Sequence, residues 1–238
     1  MIVLGLDTST SATAVAVRLD DGSTSELRDD PPAGAHPGHA TRLLGMAHEL
    51  LAGAGVGWSA LERIAVGVGP GTFTGLRVGV ASARGLGQGL GIDVVGVSSL
   101  GALAAGALDA HAASDTIVSV IDARRGEVFA AAYERADDGL PRELSPPRAL
   151  PPGDLGAVLS ETGTGRPALV VGDGAVRFRE RIGQLAVEIP PDGADVHLVS
   201  ASWICELGSR VSSLEPVVPD YRRRPDAELA LEAGRPHR

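Results

Sequence analysis

The stretch GVGPGTFTGLRVGV, residues 67–80, has the pattern of a strand end, a glycine-rich loop and a helix start. Loops of this kind bind phosphate where the free backbone N–H groups of the helix N-terminus point at the anion. A Walker A loop also requires a lysine, and the sequence contains no lysine. Two interpretations remain from these residues: a weak anion site, or a tightly turned helix start capped by Thr72 or Thr74.

The predicted helix after this loop carries small residues at every fourth position. The row consists of Gly75, Gly79, Ala83, Gly87 and Gly91. The adjoining row consists of Val78, Ser82, Leu86 and Leu90. A glycine inside a helix costs about 0.5–1 kcal/mol relative to alanine, so the row predicts a close contact that compensates. The contact is either an internal element or a second chain that enters the groove.

Hydrophobic alternation and turn signals predict the order β-β-β-α-β-α-β-α around this stretch. The predicted strands cover 2–6, 13–19, 23–27, 64–68 and 92–97, and the predicted helices cover 39–54, 74–90 and 98–108. In the second half, DARRGE (122–127) predicts a hairpin and the proline-rich residues 139–152 predict a surface loop. A strand and turn at ALVVGDGA (168–175), a short helix over 175–182 and a last helix over 198–211 complete the prediction.

Composition limits the function classes. The net charge is −9 and the aromatic content is 3%, so the core is built from Ala, Val, Leu and Ile. An acidic chain is not expected to bind RNA tightly alone, and the basic cluster YRRRP (221–225) is interpreted as a solvated turn. Cys205, the single cysteine, is predicted to be buried and structural. No uncharged run is long enough to cross a bilayer and no basic signal region begins the chain, so we expect a cytoplasmic protein.

Several segments together resemble the TsaB (YeaZ) family. They are IVLGLDTSTSATAVAV (2–17), GHATRLLGMAHELL (38–51) and AVGVGPGTFTGLRVGVASARGLG (65–87). VSSLGALA, IDARRGEVFAAAYE and VVPDYRRRPDAE follow in the family's order. The resemblance implies an α/β protein with the actin-like ATPase (ASKHA) fold, in which two lobes each have a mixed sheet and flanking helices. It places a first lobe at 1–108 and a second, reduced lobe at 109–238, whose C-terminal tail can return to the first.

The same resemblance implies a function without catalysis. The chain would be an inactive paralogue of TsaD that scaffolds and activates TsaD as a heterodimer, with the ATPase TsaE joining. Together they make N6-threonylcarbamoyladenosine next to the tRNA anticodon, and tRNA is reached only through the complex. The same helices would also allow a homodimer of the isolated chain, whose self-association state the sequence leaves open. The implied partner-binding residues are His39, Leu43, Leu44, Ala47, Gly75, Gly79, Ala83, Leu86 and Gly87.

Nucleotide-binding loops of an actin-like fold would fall at two places. Their residues are Asp7, Thr8 and Ser9 in the first loop and Gly172, Asp173 and Gly174 in the second. The resemblance implies weak or vestigial ATP or ADP binding there, with no cofactor required and no catalytic residue. No metal site is predicted, since Pro37 and Gly38 separate His36 from His39 in a way unsuited to one ion.

Two other functions stay open at this point. One is an actin-like ATPase or small-molecule kinase, in which Asp7 and Asp122 would be the candidate carboxylates. The other is a metallopeptidase-like protein. Turnover of ATP or of a peptide by the isolated chain would separate these from a partner subunit.

Overall fold

The computed structural model describes residues 1–32, 35–163, 168–212 and 215–222. The strands of the first half are β1 (Val3–Asp7), β2 (Thr13–Arg18), β3 (Thr24–Asp29), β4 (Arg63–Gly69) and β5 (Asp93–Ser98). Those of the second half are β6 (Thr116–Arg124), β7 (Glu127–Arg135), β8 (Pro141–Leu150), β9 (Ala168–Val171) and β10 (Val187–Glu188). The α-helices are α1 (His39–Gly53), α2 (Phe73–Leu90), α3 (Ser99–Ala110), α4 (Gly156–Ser160), α5 (Asp173–Arg177), α6 (Arg179–Ile182) and α7 (Ala201–Ser209).

The two sheets have the same strand order. The first runs β3-β2-β1-β4-β5 and the second runs β8-β7-β6-β9-β10. In each, an antiparallel meander of three strands is extended by two strands parallel to the central one. This repeated mixed sheet with flanking helices is the arrangement of the actin-like fold, and the predicted fold class is confirmed.

The hydrophobic residues form three layers of core. Helices α1 and α2 cover the outer face of the first sheet, where Leu43, Ala47 and Val80 meet Leu4 and Leu6. Helices α4, α5 and α6 cover the outer face of the second sheet. Between the two sheets lie α3 and α7, whose small and branched apolar side chains touch both sheets.

The two central helices are exchanged between the lobes. Helix α3 follows the first sheet but packs on β6, β7 and β8, whereas α7 follows the second sheet and packs on β1, β2 and β4. The Glu26 carboxylate on β3 accepts hydrogen bonds from the Ser200 hydroxyl at 2.6 Å and the Ser202 N–H at 2.9 Å, which fixes the N-terminus of α7. Cys205 of α7 is fully buried, as predicted, and burial raises the pKa of its thiol.

Three predicted elements differ from the structure. Residues 139–152, predicted as a loop, contain the ten-residue strand β8. Proline is tolerated there because β8 is an edge strand of its sheet. The predicted helix over 175–182 is two short helices, and the last helix covers Ala201–Ser209, since the hydroxyl of Ser200 caps it at the Ser202 N–H.

Residues 215–222 run back across the first lobe. The Asp220 N–H donates to the carbonyl oxygen of Val68 at 2.8 Å. The Tyr221 ring lies 5.1 Å from the Phe73 ring, and its hydroxyl accepts a hydrogen bond from Arg77 Nε at 3.1 Å. Of the basic cluster singled out in the sequence, Arg223 and Arg224 lie outside the described residues. Within the described ranges, no helix has both the length and the apolar character needed to cross a membrane.

Candidate functional site

The glycine row of α2 contacts the turn between β1 and β2. The Thr8 hydroxyl donates to the Gly75 carbonyl oxygen at 2.7 Å. A Cβ atom on Gly75 would lie 2.0 Å from the Thr8 carbonyl oxygen, and one on Gly79 would lie 2.4 Å from Thr8 Oγ1. Only glycine permits this approach, so the row serves the packing of α2 onto the chain's own turn.

The rest of the row is also internal. Ala83 is fully buried, and a Cβ on Gly87 would lie 2.3 Å from Val94 Cγ2 on β5. Gly91 takes a left-handed conformation with φ of 69° and ends the helix. Residues of the same lobe therefore pack against this face of α2, and binding of another chain by the row stays a prediction.

The glycine-rich loop before α2 is closed by the same turn. The Thr72 N–H donates to the Ser9 carbonyl oxygen at 2.7 Å, and a Cβ on Gly71 would lie 2.3 Å from that oxygen. Thr72 is the N-cap residue but makes no side-chain capping bond. The backbone of Ser9 thus stands where an anion would have to approach Gly71 and Thr72.

Asp7 lies at the centre of this packing. Its Oδ1 accepts hydrogen bonds from the Ser9 N–H at 2.9 Å and the Ser9 hydroxyl at 2.7 Å, and its Oδ2 accepts one from the Ser99 hydroxyl at 2.8 Å. Burial raises the pKa of the Asp7 carboxyl, and these hydrogen bonds partly offset the effect. Ser98 caps α3, whereas Ser99 links α3 to the first sheet.

The second predicted loop is equally tight. Gly172 has φ of 113°, and a Cβ there would lie 2.0 Å from the Val120 carbonyl oxygen. The Asp173 carboxylate accepts the Asp122 N–H at 3.0 Å. Burial and the nearby Asp122 carboxylate raise the pKa of Asp173 to about 6. Nucleotide binding by the two loops stays a prediction, and both loops are packed against backbone of their own lobe.

His197 contacts this second loop and was not predicted from the sequence. It is buried, and its Nδ1 accepts the Gly172 N–H at 3.0 Å. Nε2 must therefore carry the proton, which it donates to the Pro190 carbonyl oxygen at 3.1 Å. A lone histidine 25 residues from its partner offers no spacing signal in the sequence.

Asp122, a candidate carboxylate of the kinase alternative, is held by two arginines. Its Oδ2 lies 3.2 Å from Arg124 Nη1 and 2.8 Å from Arg177 Nη1. Its Oδ1 accepts the Arg124 N–H at 2.9 Å. The Asp122 side chain is 5% exposed, so these contacts take up the oxygens that a ligand would need.

His36 and His39 differ in their surroundings. His36 is exposed, whereas His39 is buried with its Nδ1 2.9 Å from the Thr13 hydroxyl. Burial lowers the pKa of His39 and favours its neutral form. In the described ranges, no group of three or more His, Cys, Asp and Glu side chains is placed to hold a metal ion.

Most residues implied as partner-binding face inward. Those buried in the first lobe are His39, Leu43, Ala47, Gly75, Gly79, Ala83 and Gly87. These seven residues pack within the first lobe, and their assignment to partner binding stays a prediction. Leu44 is 50% exposed and Leu86 is half-buried, and partner binding at these two stays a prediction.

A different face of α1 and α2 is open. It forms a shallow groove of about 510 Å³, here called the outer groove, lined by Leu44, Trp58, Ser82, Gly85, Leu86, Gly89 and Leu90. A Cβ on Gly85 or Gly89 would meet no atom within 4 Å. These two glycines have no internal packing reason, in contrast to Gly75 and Gly79.

Known proteins resemble this chain in sequence and in structure. Residues 31–145 match the family model described as TsaD, tRNA N6-adenosine threonylcarbamoyltransferase. The tRNA threonylcarbamoyladenosine biosynthesis protein TsaB of Escherichia coli is 36% identical over 140 residues, which cover 59% of this chain and 58% of that protein. The Haemophilus influenzae TsaB is 40% identical over 129 residues, 54% of this chain and 52% of that protein.

A solved structure extends the similarity to the whole fold. YeaZ from Pseudomonas aeruginosa superposes with a TM-score of 0.78 at 31% sequence identity, covering 92% of this chain and 99% of that one. The chain belongs to the TsaB (YeaZ) family. In this TsaB-family chain, the region that matches the TsaD model contains α1 and α2 and hence the outer groove.

Proposed function

We propose that this TsaB-family chain is a non-catalytic subunit in the biosynthesis of tRNA threonylcarbamoyladenosine and that it scaffolds and activates TsaD. The names of the E. coli and H. influenzae relatives support the pathway. The match to the TsaD model supports a pairing of two related folds, as expected for a subunit and the paralogue it activates. We further propose that TsaE joins this pair and that tRNA is bound only by the complex.

The outer groove is the observation that carries this proposal. Each open glycine costs α2 about 0.5–1 kcal/mol of helix stability without any internal contact in return. Leu44 is half exposed beside them, and burying a leucine side chain is worth about 1.5–3 kcal/mol. A helix of TsaD placed in the groove would approach the backbone at Gly85 and Gly89 and cover Leu44. A second copy of the chain would use the same face when TsaD is absent.

The lack of catalysis is proposed from the state of Asp7. An ATPase or kinase of this fold would need a carboxylate that faces the metal–phosphate group. Both oxygens of Asp7 instead accept hydrogen bonds from the chain, and the residue is 1% exposed. We expect the isolated chain to hydrolyse no ATP above background. ATP turnover that is lost in Asp7→Ala would favour the ATPase or kinase alternative.

The docking test uses two glycines that are both open. Gly85→Leu fills the outer groove, whereas Gly153→Leu places the same side chain on the second lobe, where Gly153 also has no atom within 4 Å of a Cβ. We expect Gly85→Leu to keep the melting temperature and to weaken TsaD binding about a hundredfold, because overpacking of an interface costs a few kcal/mol. Gly153→Leu should bind TsaD normally. Failure of the unaltered chain to bind TsaD from the same organism would refute the proposal.

A further inference from the structure

Helix α2 carries two arginines that form no ion pair with the carboxylate of any described residue. Arg77 and Arg84 are exposed and lie seven residues apart, which places them on one side of the helix two turns apart. Arg84 makes no hydrogen bond or ion pair with any other described residue. The sequence of α2 from Phe73 to Leu90 contains no Asp or Glu. In a chain of net charge −9, this is a local excess of positive charge.

Arg77 is held in a fixed position. Its guanidinium carbon lies 3.8 Å from the centre of the Phe73 ring, and its Nε donates to the Tyr221 hydroxyl. The Phe73 and Tyr221 rings contact each other in turn. Because the aromatic pair already orders the arginine, a bound anionic group would meet a side chain that loses little further freedom.

These residues border a second groove, here called the basic groove. It has a volume of about 600 Å³ and lies between α2 and the returning segment 215–222. Its lining includes Arg77, Arg84, Gly85 and Tyr221. Gly85 also lines the outer groove, so the two grooves adjoin across one turn of α2. A partner that fills the outer groove therefore reaches the basic groove without a break in the surface.

We infer that the basic groove binds a carboxylate-bearing segment of the protein partner, next to the helix that fills the outer groove. This inference rests on the proposed function and names the chemistry of the partner's contact. Two arginines match one or two Asp or Glu side chains, and carboxylate pairs with arginine are strong when partly desolvated. RNA binding ordinarily depends on several phosphate contacts, and a groove lined by two arginines in a chain of net charge −9 supplies few of them.

The absence of lysine makes a direct test available. Arg84→Lys creates the first lysine of the chain, so its only other amine is the N-terminus. A carbodiimide couples an amine to a carboxylate in contact with it. With the TsaD complex, we expect Arg84→Lys to give a new cross-link to an Asp or Glu of TsaD, mapped by mass spectrometry. Arg181→Lys, an exposed arginine of the second lobe, should give none.

Binding constants complete the test. We expect Arg84→Glu to weaken TsaD binding about tenfold at low salt, with a smaller effect at high salt, and Arg181→Glu to leave binding unchanged. Unchanged TsaD affinity of Arg84→Glu and the absence of the cross-link would overturn the inference. So would a loss confined to tRNA binding by the complex, which would assign the groove to RNA. If Gly85→Leu blocks TsaD binding and Arg84→Glu leaves it unchanged, the proposed function stands and the inference about the basic groove is wrong. If the unaltered chain does not bind TsaD, both the proposed function and the inference are wrong.

Discussion

The two lobes repeat one sheet but differ in what covers it. In the first lobe the outer helices have 15 and 18 residues, whereas in the second lobe they have only four or five. Both lobes use glycine for a close backbone contact, between α2 and the turn after β1 at Gly75 and between the loop after β9 and strand β6 at Gly172. Among the described residues, only the first lobe has outer helices long enough to bury one face and expose another. The glycines of α2 therefore have two roles. Gly75 and Gly79 allow close packing inside the lobe, whereas Gly85 and Gly89 lie on an open surface.

The largest effect on stability is expected where a glycine of α2 contacts the backbone of the turn after β1. Gly75→Ala should lower the free energy of unfolding by about 3 kcal/mol, because its Cβ would lie 2.0 Å from a backbone oxygen that cannot rotate away. Urea unfolding of the isolated chain measures this. A stability within 0.5 kcal/mol of the unaltered chain would mean that the row is not packed as described.

A smaller, pH-dependent effect is expected in the second lobe. Asp173 has a pKa of about 6 in the folded chain, above its usual 3.8, so the folded state binds a proton between about pH 6 and pH 4 that the unfolded state does not. The contribution of Asp173 therefore makes the fold more stable as the pH falls through this window. Above pH 6 the ionised, buried carboxylate costs stability.

Asp173→Asn keeps an oxygen that can accept the Asp122 N–H but removes the charge. We expect the variant to be more stable than the unaltered chain by about 2 kcal/mol at pH 7.5, with the difference closing towards pH 4. Denaturant unfolding at a series of pH values provides the comparison. A difference between the two proteins that stays constant with pH would show that Asp173 titrates normally.

The smallest effect is expected on the open face of α2. Gly85→Ala should raise the free energy of unfolding by about 0.5–1 kcal/mol, since alanine favours the helix and its Cβ meets no atom within 4 Å. Thermal unfolding of Gly85→Ala and Gly75→Ala should show changes in stability of opposite sign, although both substitutions are on the same helix. Destabilisation by Gly85→Ala would show that the outer face is less open than described.

Much of the fold could be predicted because its strands are locally encoded. Val3–Asp7 and Thr13–Arg18 are apolar runs separated by a polar turn, and α1 and α2 follow helical spacing. Strand β8 was missed because Pro141, Pro146 and Pro147 are typical of a loop. Their place at a sheet edge depends on which strand pairs with β8, and that is a property of the whole sheet.

The element that packs against the glycine row could not be predicted for a related reason. Spacing of four residues shows that Gly75 and Gly79 share one face, but not what lies opposite. The opposing residue, Thr8, is 67 positions away from Gly75. The adjoining row, with Ser82, Leu86 and Leu90, was visible in the sequence and lines the outer groove. Its exposure follows only from the docking of the other face.

Because α3 and α7 each pack on the sheet of the other lobe, the two lobes cannot be separated without uncovering both sheets. A fragment that stopped after α3 would leave the inner face of the first sheet, including Ala14, Ala16 and Ala65, without the helix that covers it. The second half alone would in turn lack α3. Neither half has helices on both faces of its sheet, so we do not expect either half to fold alone. Because each sheet needs a helix from the other half of the chain, we expect the two sheets to fold cooperatively.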